Sequence, residues 1–456
     1  MTQAGMELSV GGTTGVASLA DQVKRFKPRT FADIAKEGRV FDRTIKDNPA
    51  REALTRKCVR VLVDNFERLP AYEGSADGRG IPAKFLQDIS ATLSTDLDPK
   101  VGALYVFDEN YWKRRCVKTL SWHRCQIMEH GLTWKQLFFE THVTQRLEGL
   151  KDASHEGEME GLLDFLRSCQ DYIFCLRAKQ LLAHPDMAAV CTALPNLTML
   201  DVQYGIKNIG MKYERMLFGM KISDASGLAK AIQGCENLTT VVLQSNLIDD
   251  DLMRMLMTGL VRNNTITALD VSHNKITNHG ARLLSKLLGE KSVLTSVNLA
   301  DNQATNARER TKIMEQVHSE GGRYIGRALR GNQSLVELNM RLNRLTDDGG
   351  CMLMEGLRDN ETLQYLNLSG NSVAHETIST LSIVLREPTS RLSTIDLSCN
   401  ELQDEEVHLL CVAIERNTTL VSIDLRMNDV SAELEGLEQI EGMVHRNELA
   451  ARTEAT

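Results

Sequence analysis

The second half of this chain carries asparagine at nearly equal intervals, and this feature constrains the fold more than any other. Each asparagine is the ninth residue of an eleven-residue pattern whose first, fourth, sixth and last positions are apolar, as in Leu238–Ile248. Successive asparagines are 28, 28, 41, 28, 29 and 28 residues apart. Such a period predicts stacked structural units, because one unit cannot bury its own apolar face. The repeated residues are Asn246, Asn274, Asn302, Asn343, Asn371, Asn400 and Asn428.

The pattern predicts a short strand, a turn and a helix in every unit. Alternating apolar positions such as Leu269 and Val271 face inward from a strand. The asparagine follows where the strand ends, and its side chain can satisfy buried backbone groups because it both donates and accepts hydrogen bonds. The apolar spacing within Gly280–Leu288 is helical. Together these features predict an α/β fold, a leucine-rich repeat solenoid shaped as a ribonuclease-inhibitor-like horseshoe of about eight repeats.

Two interruptions of the array share the same phase. A degenerate unit stands 41 residues before the one at Leu238, and one later interval is also 41 residues, or 41 − 28 = 13 more than the usual period. These excesses predict insertions at about 205–220 and 303–318, both on one rim of the solenoid. Such insertions are either binding elements or tolerated surface loops. The first is apolar enough to require burial against something, and its candidate partner-binding residues are Tyr213, Leu217 and Phe218.

The aromatic residues predict a domain boundary near residue 190. Ten of the eleven Phe residues precede residue 180, and all three Trp residues lie between 112 and 134. A core of rings ahead of a core of aliphatic side chains indicates a separate, mostly α-helical N-terminal domain. We expect a helix at 162–182 to cover the first repeat. The predicted organisation is a disordered tail at 1–20, the N-terminal domain at 21–190, the repeats at 191–431 and a helical cap and tail at 432–456.

Composition and missing motifs argue against several classes of function. The net charge of −8 and the polar, mildly acidic strand positions do not favour nucleic-acid binding. No signal peptide or apolar run near 18 residues is found, so we expect a soluble intracellular protein without a membrane partner. HExxH, GxSxG and Walker-type motifs are missing, and the spacing of Cys116, His123, Cys125 and His130 fits no standard zinc-ligand pattern. We therefore expect no enzymatic activity, cofactor or metal.

One aromatic and basic stretch in the N-terminal domain is a candidate contact for a partner. It consists of Tyr111, Trp112, Lys113, Arg114 and Arg115. Rings and arginines of this kind often anchor protein interfaces. The alternative is a helix start whose rings belong to the core, and the sequence leaves both interpretations open.

Other candidate contacts are purely charged. Residues 21–60 carry twelve Lys and Arg against six Asp and Glu. The basic part at 24–60 is either a contact for a polyanionic surface, such as a doublet microtubule, or a solvated helix face. In the repeats, Arg341 and Arg426 occupy outward strand positions.

Two motifs outside the repeats carry a more specific resemblance. One combines Glu109–Cys116 with His130–Glu140, and the other combines Tyr204–Tyr213 with Leu217–Met220. Together with the repeats, they resemble the T-complex-associated testis-expressed protein 1 family, which is subunit 5 of the nexin–dynein regulatory complex. The resemblance implies a non-catalytic scaffold in the axoneme of motile cilia or flagella, where that complex links doublet microtubules and regulates dynein. It also implies other subunits of the complex as partners, including a second leucine-rich repeat subunit.

Two soluble regulators with similar repeats are the alternatives. A Ran GTPase-activating protein usually ends in a long acidic tail, whereas residues 433–456 form a short tail of mixed charge. A ubiquitin-ligase substrate receptor would need an F-box-like helical motif before the repeats, and the sequence offers none that we recognise.

Overall fold

The computed structural model describes residues 49–68, 83–120, 127, 133–150, 156–205, 219–289, 292–302 and 313–454. The chain divides into two compact units. One runs to Val143 and includes Asp164–Ile173, and the other comprises Thr144–Leu163 and Phe174 onward. Among the described residues, none of the helices has both the length and the apolar character needed to cross a bilayer.

As far as Cys169, all regular elements that the structure describes are helices. The helices are α1 (Pro49–Asp64), α2 (Ala83–Thr92), α3 (Pro99–Tyr105), α4 (Glu109–Thr119), α5 (Trp134–Glu148) and α6 (Glu156–Cys169). Asp98 and Asp108 begin α3 and α4, because each carboxylate accepts a hydrogen bond from a backbone N–H of the first turn. The core of this unit is aromatic, as predicted: the Trp112 ring lies 5.1 Å from that of Phe138 and 5.0 Å from that of Phe139, centroid to centroid.

The second unit is built on a parallel sheet whose nine strands follow one another in chain order. The strands are β1 (Cys175–Leu181), β2 (Met199–Tyr204), β3 (Thr240–Val242), β4 (Ala268–Asp270), β5 (Ser296–Asn298), β6 (Glu337–Asn339), β7 (Tyr365–Asn367), β8 (Thr394–Asp396) and β9 (Ser422–Asp424). Equivalent residues of neighbouring repeats pair in register, so Leu269 lies beside Val297. The central residue of each strand faces the core. The predicted leucine-rich repeat solenoid is confirmed.

The first strand corrects the predicted helix at 162–182. Helix α6 ends at Cys169, a 3₁₀ turn follows, and Cys175–Leu181 forms β1, which pairs with β2. The sheet therefore begins ahead of the predicted boundary at 190. Residues of β1 alternate between buried Leu176 and Ala178 and outward Arg177 and Lys179, which is a strand pattern. No asparagine ends this strand, so the repeat pattern could not reveal it.

Helices return the chain between strands and cover the other face of the sheet. They are α7 (Met187–Thr192), α8 (Ile222–Gly234), α9 (Asp250–Leu260), α10 (Asn278–Ser285), α11 (Ile313–Gly331), α12 (Thr346–Leu357), α13 (His375–Arg386), α14 (Asp404–Ile414) and α15 (Glu435–Glu454). Helix α11 takes up residues 313–318 of the predicted insertion at 303–318, and residues 303–312 lie outside the described part of the chain. Helix α15 follows the last repeat, where buried Asn447 donates hydrogen bonds to the carbonyls of Asn417 and Leu420.

Candidate protein-interaction surface

The seven repeated asparagines form a continuous hydrogen-bonded series, here called the Asn ladder. The Asn274 side-chain oxygen accepts from the backbone N–H groups of Asn246 and Ile248, at 2.9 and 3.0 Å. Its amide nitrogen donates to the carbonyls of Leu243 and Val271, at 3.0 and 2.8 Å. One buried side chain thus satisfies backbone groups of two successive repeats. This geometry makes the ladder a structural element that holds the turns, not a binding site.

A second series of asparagines joins the repeats at the opposite end of the strands. Asn360 donates to the carbonyls of Leu329 and Asn332, at 2.8 and 3.1 Å, and accepts from the backbone N–H of Leu363 at 2.8 Å. This second Asn ladder escaped the sequence analysis. In the sequence, this ladder is marked by recurring Asn-x-Ser/Thr triplets. The asparagine of each triplet lies three residues before the first apolar residue of a repeat. The triplets begin at Asn263, Asn332, Asn360 and Asn417.

Carboxylates link the helices of neighbouring repeats. Asp347, four residues after a ladder asparagine, accepts from the backbone N–H groups of Ala374, Glu376 and Thr377 at 2.8–2.9 Å. Burial raises the pKa of Asp347, but these hydrogen bonds outweigh that effect and hold the pKa below its ordinary value. Asp250, four residues after Asn246 and three repeats earlier in the chain, makes equivalent contacts with the backbone N–H groups of Thr277 and Gly280. Each carboxylate therefore caps the helix of the following repeat.

The outward face of the sheet is lined mostly by small polar side chains that bond to one another. Asn298 donates to the Asp270 carboxylate, and Asn367 donates to the Asp396 carboxylate, each at 2.9 Å. The Lys179 ammonium of β1 makes an ion pair with the Asp201 carboxylate of β2, at the N-terminal edge of the sheet. These contacts leave a polar surface, which suits contact with a protein partner more than enclosure of a small ligand.

One aromatic side chain stands out on this face. Tyr365, the first residue of β7, is 44% exposed and pairs in register with exposed Glu337 of β6. At the same position the other strands from β2 onward carry smaller or flexible residues, namely Met199, Thr240, Ala268, Ser296, Thr394 and Ser422. Sequence analysis missed Tyr365 because it occupies a position that varies from repeat to repeat. Exposed tyrosines are enriched among the residues that dominate protein interfaces.

The two predicted arginines of this face differ in their charge environment. Arg426 makes a forked contact with Asp424 through Nε at 3.0 Å and Nη2 at 2.5 Å. This pair lowers the pKa of Asp424. Arg341 is exposed, and no ion pair joins it to the residues that the structure describes. Of the two, Arg341 is therefore the one with its charge available to a partner.

The structure corrects the anchor interpretation of the motif in α4. Tyr111 and Trp112 are fully buried, and Arg115 is 4% exposed. The Trp112 indole N–H donates to the carbonyl of Val106 at 3.0 Å, and the Arg115 guanidinium donates to the carbonyl of Leu97 at 2.6 Å. These three side chains share one helix face, which forms the core. Of the predicted anchor residues, the exposed ones are Lys113 and Arg114.

A buried lysine lies against the same aromatic core. Lys135 is 1% exposed, and its ammonium donates to the carbonyl of Ala103 at 2.7 Å. The nitrogen lies 3.9 Å from the ring centroid of Tyr172 and 4.6 Å from that of Phe107, as a cation–π partner. Burial lowers the pKa of Lys135 to about 7, although the Glu109 carboxylate acts in the opposite direction.

Several predicted residues lie outside the part of the chain that the structure describes. The insertion residues Tyr213, Leu217 and Phe218 belong to this group, as do the zinc-type residues His123, Cys125 and His130 and the basic residues 24–48. The contact roles predicted for Tyr213, Leu217, Phe218 and residues 24–48 stay predictions.

Comparison with known proteins agrees with the repeat architecture and with the resemblance given above. The family model described as "Leucine Rich repeat" matches residues 262–285, 331–354 and 359–376. Dynein regulatory complex subunit 5 of Chlamydomonas reinhardtii is 35% identical over 199 residues, which is 43% of this chain and 48% of the relative. The Mus musculus protein of the same name is 31% identical over 261 residues, or 51% of this chain and 50% of the relative. The predicted resemblance is confirmed.

The extent of these similarities is limited. The chain spans about half the length of the curated relatives it matches. Among solved structures, the leucine-rich repeat-containing protein LegL7 from Legionella pneumophila aligns with a TM-score of 0.34 and 14% identity, covering 61% of this chain and 94% of that one. That likeness adds nothing to the fold, which the strand register itself establishes.

Proposed function

We propose that this leucine-rich repeat chain is a non-catalytic scaffold subunit of the nexin–dynein regulatory complex in the axoneme of cilia or flagella. There it would help link doublet microtubules and regulate dynein-driven motility. The observation that carries the proposal is the 31–35% identity to proteins named dynein regulatory complex subunit 5, over roughly half of this chain. A polar sheet face with an exposed ring supports a role in binding other proteins.

The proposed contact with other subunits centres on Tyr365 and Glu337. A ring beside an unpaired carboxylate can pack against an apolar side chain and bind a cation at the same time. Arg341, two residues after the end of β6, offers a charge of the opposite sign. A partner that fits would present apolar, basic and acidic groups over a broad surface, and a second leucine-rich repeat subunit is one candidate.

The proposed microtubule contact rests on the basic segment at 24–60. Its excess charge of 12 − 6 = +6 over residues 21–60 is opposite in sign to acidic tubulin tails. Charge-driven binding weakens steeply as salt screens it. The fraction of purified chain that co-sediments with microtubules should therefore decrease as salt is raised from about 50 to about 300 mM. Binding that does not change with salt, or no binding at any salt concentration, would contradict this part of the proposal.

Axoneme fractionation tests the main proposal. A tagged copy is expressed in ciliated cells, the cilia are demembranated with detergent, and the axonemes are washed in high salt. We expect the chain in the axonemal pellet, crosslinked to other subunits of the dynein regulatory complex. Recovery only in the soluble fraction would contradict the proposal and favour a soluble regulator, which Ran GTPase assays and cullin pull-downs would then distinguish.

A matched pair of variants tests the sheet face. Tyr365→Ala removes the exposed ring, whereas Thr394→Ala changes the equivalent position of the neighbouring strand. Loss of a central interface ring costs about 2 kcal/mol or more in binding, roughly a 30-fold change. We expect Tyr365→Ala to reduce incorporation into the axoneme and Thr394→Ala to leave it unchanged. Equal incorporation of both variants would show that this face is not the contact.

A further inference from the structure

The second Asn ladder has a cysteine at its first position. Each asparagine of this ladder lies three residues before the first apolar residue of a repeat, as Asn263 does before Ile266. In the preceding repeat the same position, three residues before Leu238, is Cys235. The backbone of Cys235 keeps its place in the ladder, since its carbonyl accepts from the Asn263 amide at 3.2 Å. A thiol therefore stands where four other repeats have a carboxamide.

The geometry of the second Asn ladder places the Cys235 thiol beside a second thiol. Where a repeat is lengthened by an insertion, the ladder side chain reaches a residue 44 positions earlier, as Asn332 reaches the carbonyl of Leu288 at 3.0 Å. Cys235 also follows a lengthened repeat, and 44 positions before it lies Cys191. Helices α7 and α8 pack against each other, and the two thiols lie within interaction range. Both cysteines are free in the structure.

We propose that Cys191 and Cys235 form a reversible disulfide when the protein meets a peroxide oxidant. The Cys235 thiolate attacks one peroxide oxygen, the O–O bond breaks, and hydroxide leaves, so that Cys235 becomes a sulfenic acid. The Cys191 sulfur then attacks the Cys235 sulfur, loses its proton and displaces the sulfenic oxygen as water. The two thiols are oxidised by two electrons in total, and hydrogen peroxide is reduced to two waters. A dithiol reverses the bond by exchange.

The environments of the two sulfurs assign these roles. Cys191, on α7, is 2% exposed, whereas Cys235, at the end of α8, is half-buried and can meet the oxidant. The hydrogen bond from Cys191 lowers the pKa of Cys235, and the same bond, with burial, raises the pKa of Cys191. Cys235 is thus the thiolate that reacts first, since nucleophilic reactivity follows thiolate character and access. The resulting bond would tie α7 to the end of α8.

Peptide mapping of the full chain tests the proposal directly. Purified protein is treated with hydrogen peroxide, remaining thiols are alkylated, and trypsin is added without reductant. Trypsin releases residues 180–207 and 231–254, each of which contains one cysteine. We expect these two peptides to be joined, with a mass two hydrogens below their sum, and to separate after treatment with dithiothreitol. Free thiols should fall by two and recover in the same way.

Two variants keep the test decisive. Cys235→Asn restores the residue found elsewhere in the ladder, so it should fold and form no linked peptide. Cys399→Ser removes an exposed thiol away from the pair and should leave the link intact. The proposal is overturned if peroxide oxidises Cys399 while Cys191 and Cys235 remain alkylatable, or if either joins a different cysteine instead.

Discussion

The side-chain oxygen of Asn274 accepts a hydrogen bond from the backbone N–H of Asn246, the equivalent residue of the preceding repeat, at 2.9 Å. The same relation joins Asn371 to Asn343 at 2.9 Å and Asn400 to Asn371 at 2.8 Å. Asn371 and Asn400 each accept from the preceding ladder asparagine and donate their own backbone N–H to the next one, so the turns of successive repeats depend on one another. Nearest-neighbour dependence of this kind makes folding of a repeat array cooperative.

Asn274→Ala should strongly destabilise the second compact unit, which contains the repeats. The substitution leaves two backbone N–H groups and several carbonyls without partners in a buried turn, and each unpaired buried group costs about 1–3 kcal/mol. We expect a loss of about 3–5 kcal/mol in the free energy of unfolding, measured by urea titration with circular dichroism. Asn428→Ala is the matched control at the partly exposed end of the ladder, where water can replace the amide; an equal loss at both positions would contradict this account.

The Asn ladder was predictable because its chemistry repeats every 28 residues and tolerates little variation. The second ladder was not, because three of its seven positions carry other residues (Cys235, Lys291 and Thr389) and its triplets resemble glycosylation motifs. Strand β1 was missed for a different reason: it has no ladder asparagine, and its outward Arg177 and Lys179 look like part of a charged helix. In this chain, a sequence pattern reveals a strand or a ladder only where the same residue type is required at the same position of several repeats.

Gly356→Ala should destabilise the contact between α11 and α12. A Cβ at Gly356 would lie 2.0 Å from the carbonyl oxygen of Gly326, so one helix would have to move. Overpacking of this kind costs about 1–3 kcal/mol or more. Gly442→Ala in α15 is the matched control, because its Cβ would meet nothing within 4 Å, and replacing a helical glycine should stabilise by about 0.5–1 kcal/mol. Thermal melts of the two variants should therefore shift in opposite directions.

Asp347 should make the stability of the second compact unit, which contains the repeats, sensitive to acid. The pKa of this carboxyl lies below its ordinary value because its hydrogen bonds to Thr377, Ala374 and Glu376 outweigh burial. A lowered pKa in the folded state gives stability that is complete above the unfolded pKa of about 4 and is lost as pH falls through the folded pKa. Asp347→Ala should remove a helix cap worth about 0.5–2 kcal/mol at pH 7.

Urea titrations at pH 7 and pH 3 measure this prediction. The difference between wild type and Asp347→Ala should shrink at the lower pH, because the protonated carboxyl loses part of its advantage. Asp348→Ala, at the exposed neighbouring position of α12, is the control and should change stability little at either pH. A constant difference between wild type and Asp347→Ala at both pH values would show that ionisation of Asp347 does not contribute.

The orientation of the aromatic and basic motif could not be read from residue types. The residue types left open whether the rings and cations of residues 111–115 contact a partner or belong to the core. In the structure, helical spacing places Arg115 on the face of Tyr111 and Trp112, where rings and carbonyls surround its charge. Burial of a cation requires several partners from distant segments, and only the folded chain brings these together.

Lys135 should make the first compact unit, whose core is aromatic, less stable in acid than in mild base. Its pKa falls from 10.5 to about 7 on folding because burial disfavours the ammonium. Between these values the unfolded chain holds a proton that the folded chain lacks, so stability rises with pH from about 7 upward and is lowest below 7. At 1.36 kcal/mol for each pH unit, wild type should gain roughly 2 kcal/mol between pH 7 and pH 9.

Two substitutions separate the charge of Lys135 from its packing. Lys135→Met keeps the length of the side chain but cannot titrate, so the gain with pH should disappear. Lys135→Arg stays charged at every pH and should remain unstable throughout. Tryptophan fluorescence during urea titration reports on this unit selectively, because all three Trp residues lie between 112 and 134. Parallel pH curves for wild type and Lys135→Met would mean that Lys135 keeps its proton in the folded state and that the surrounding rings compensate for its burial.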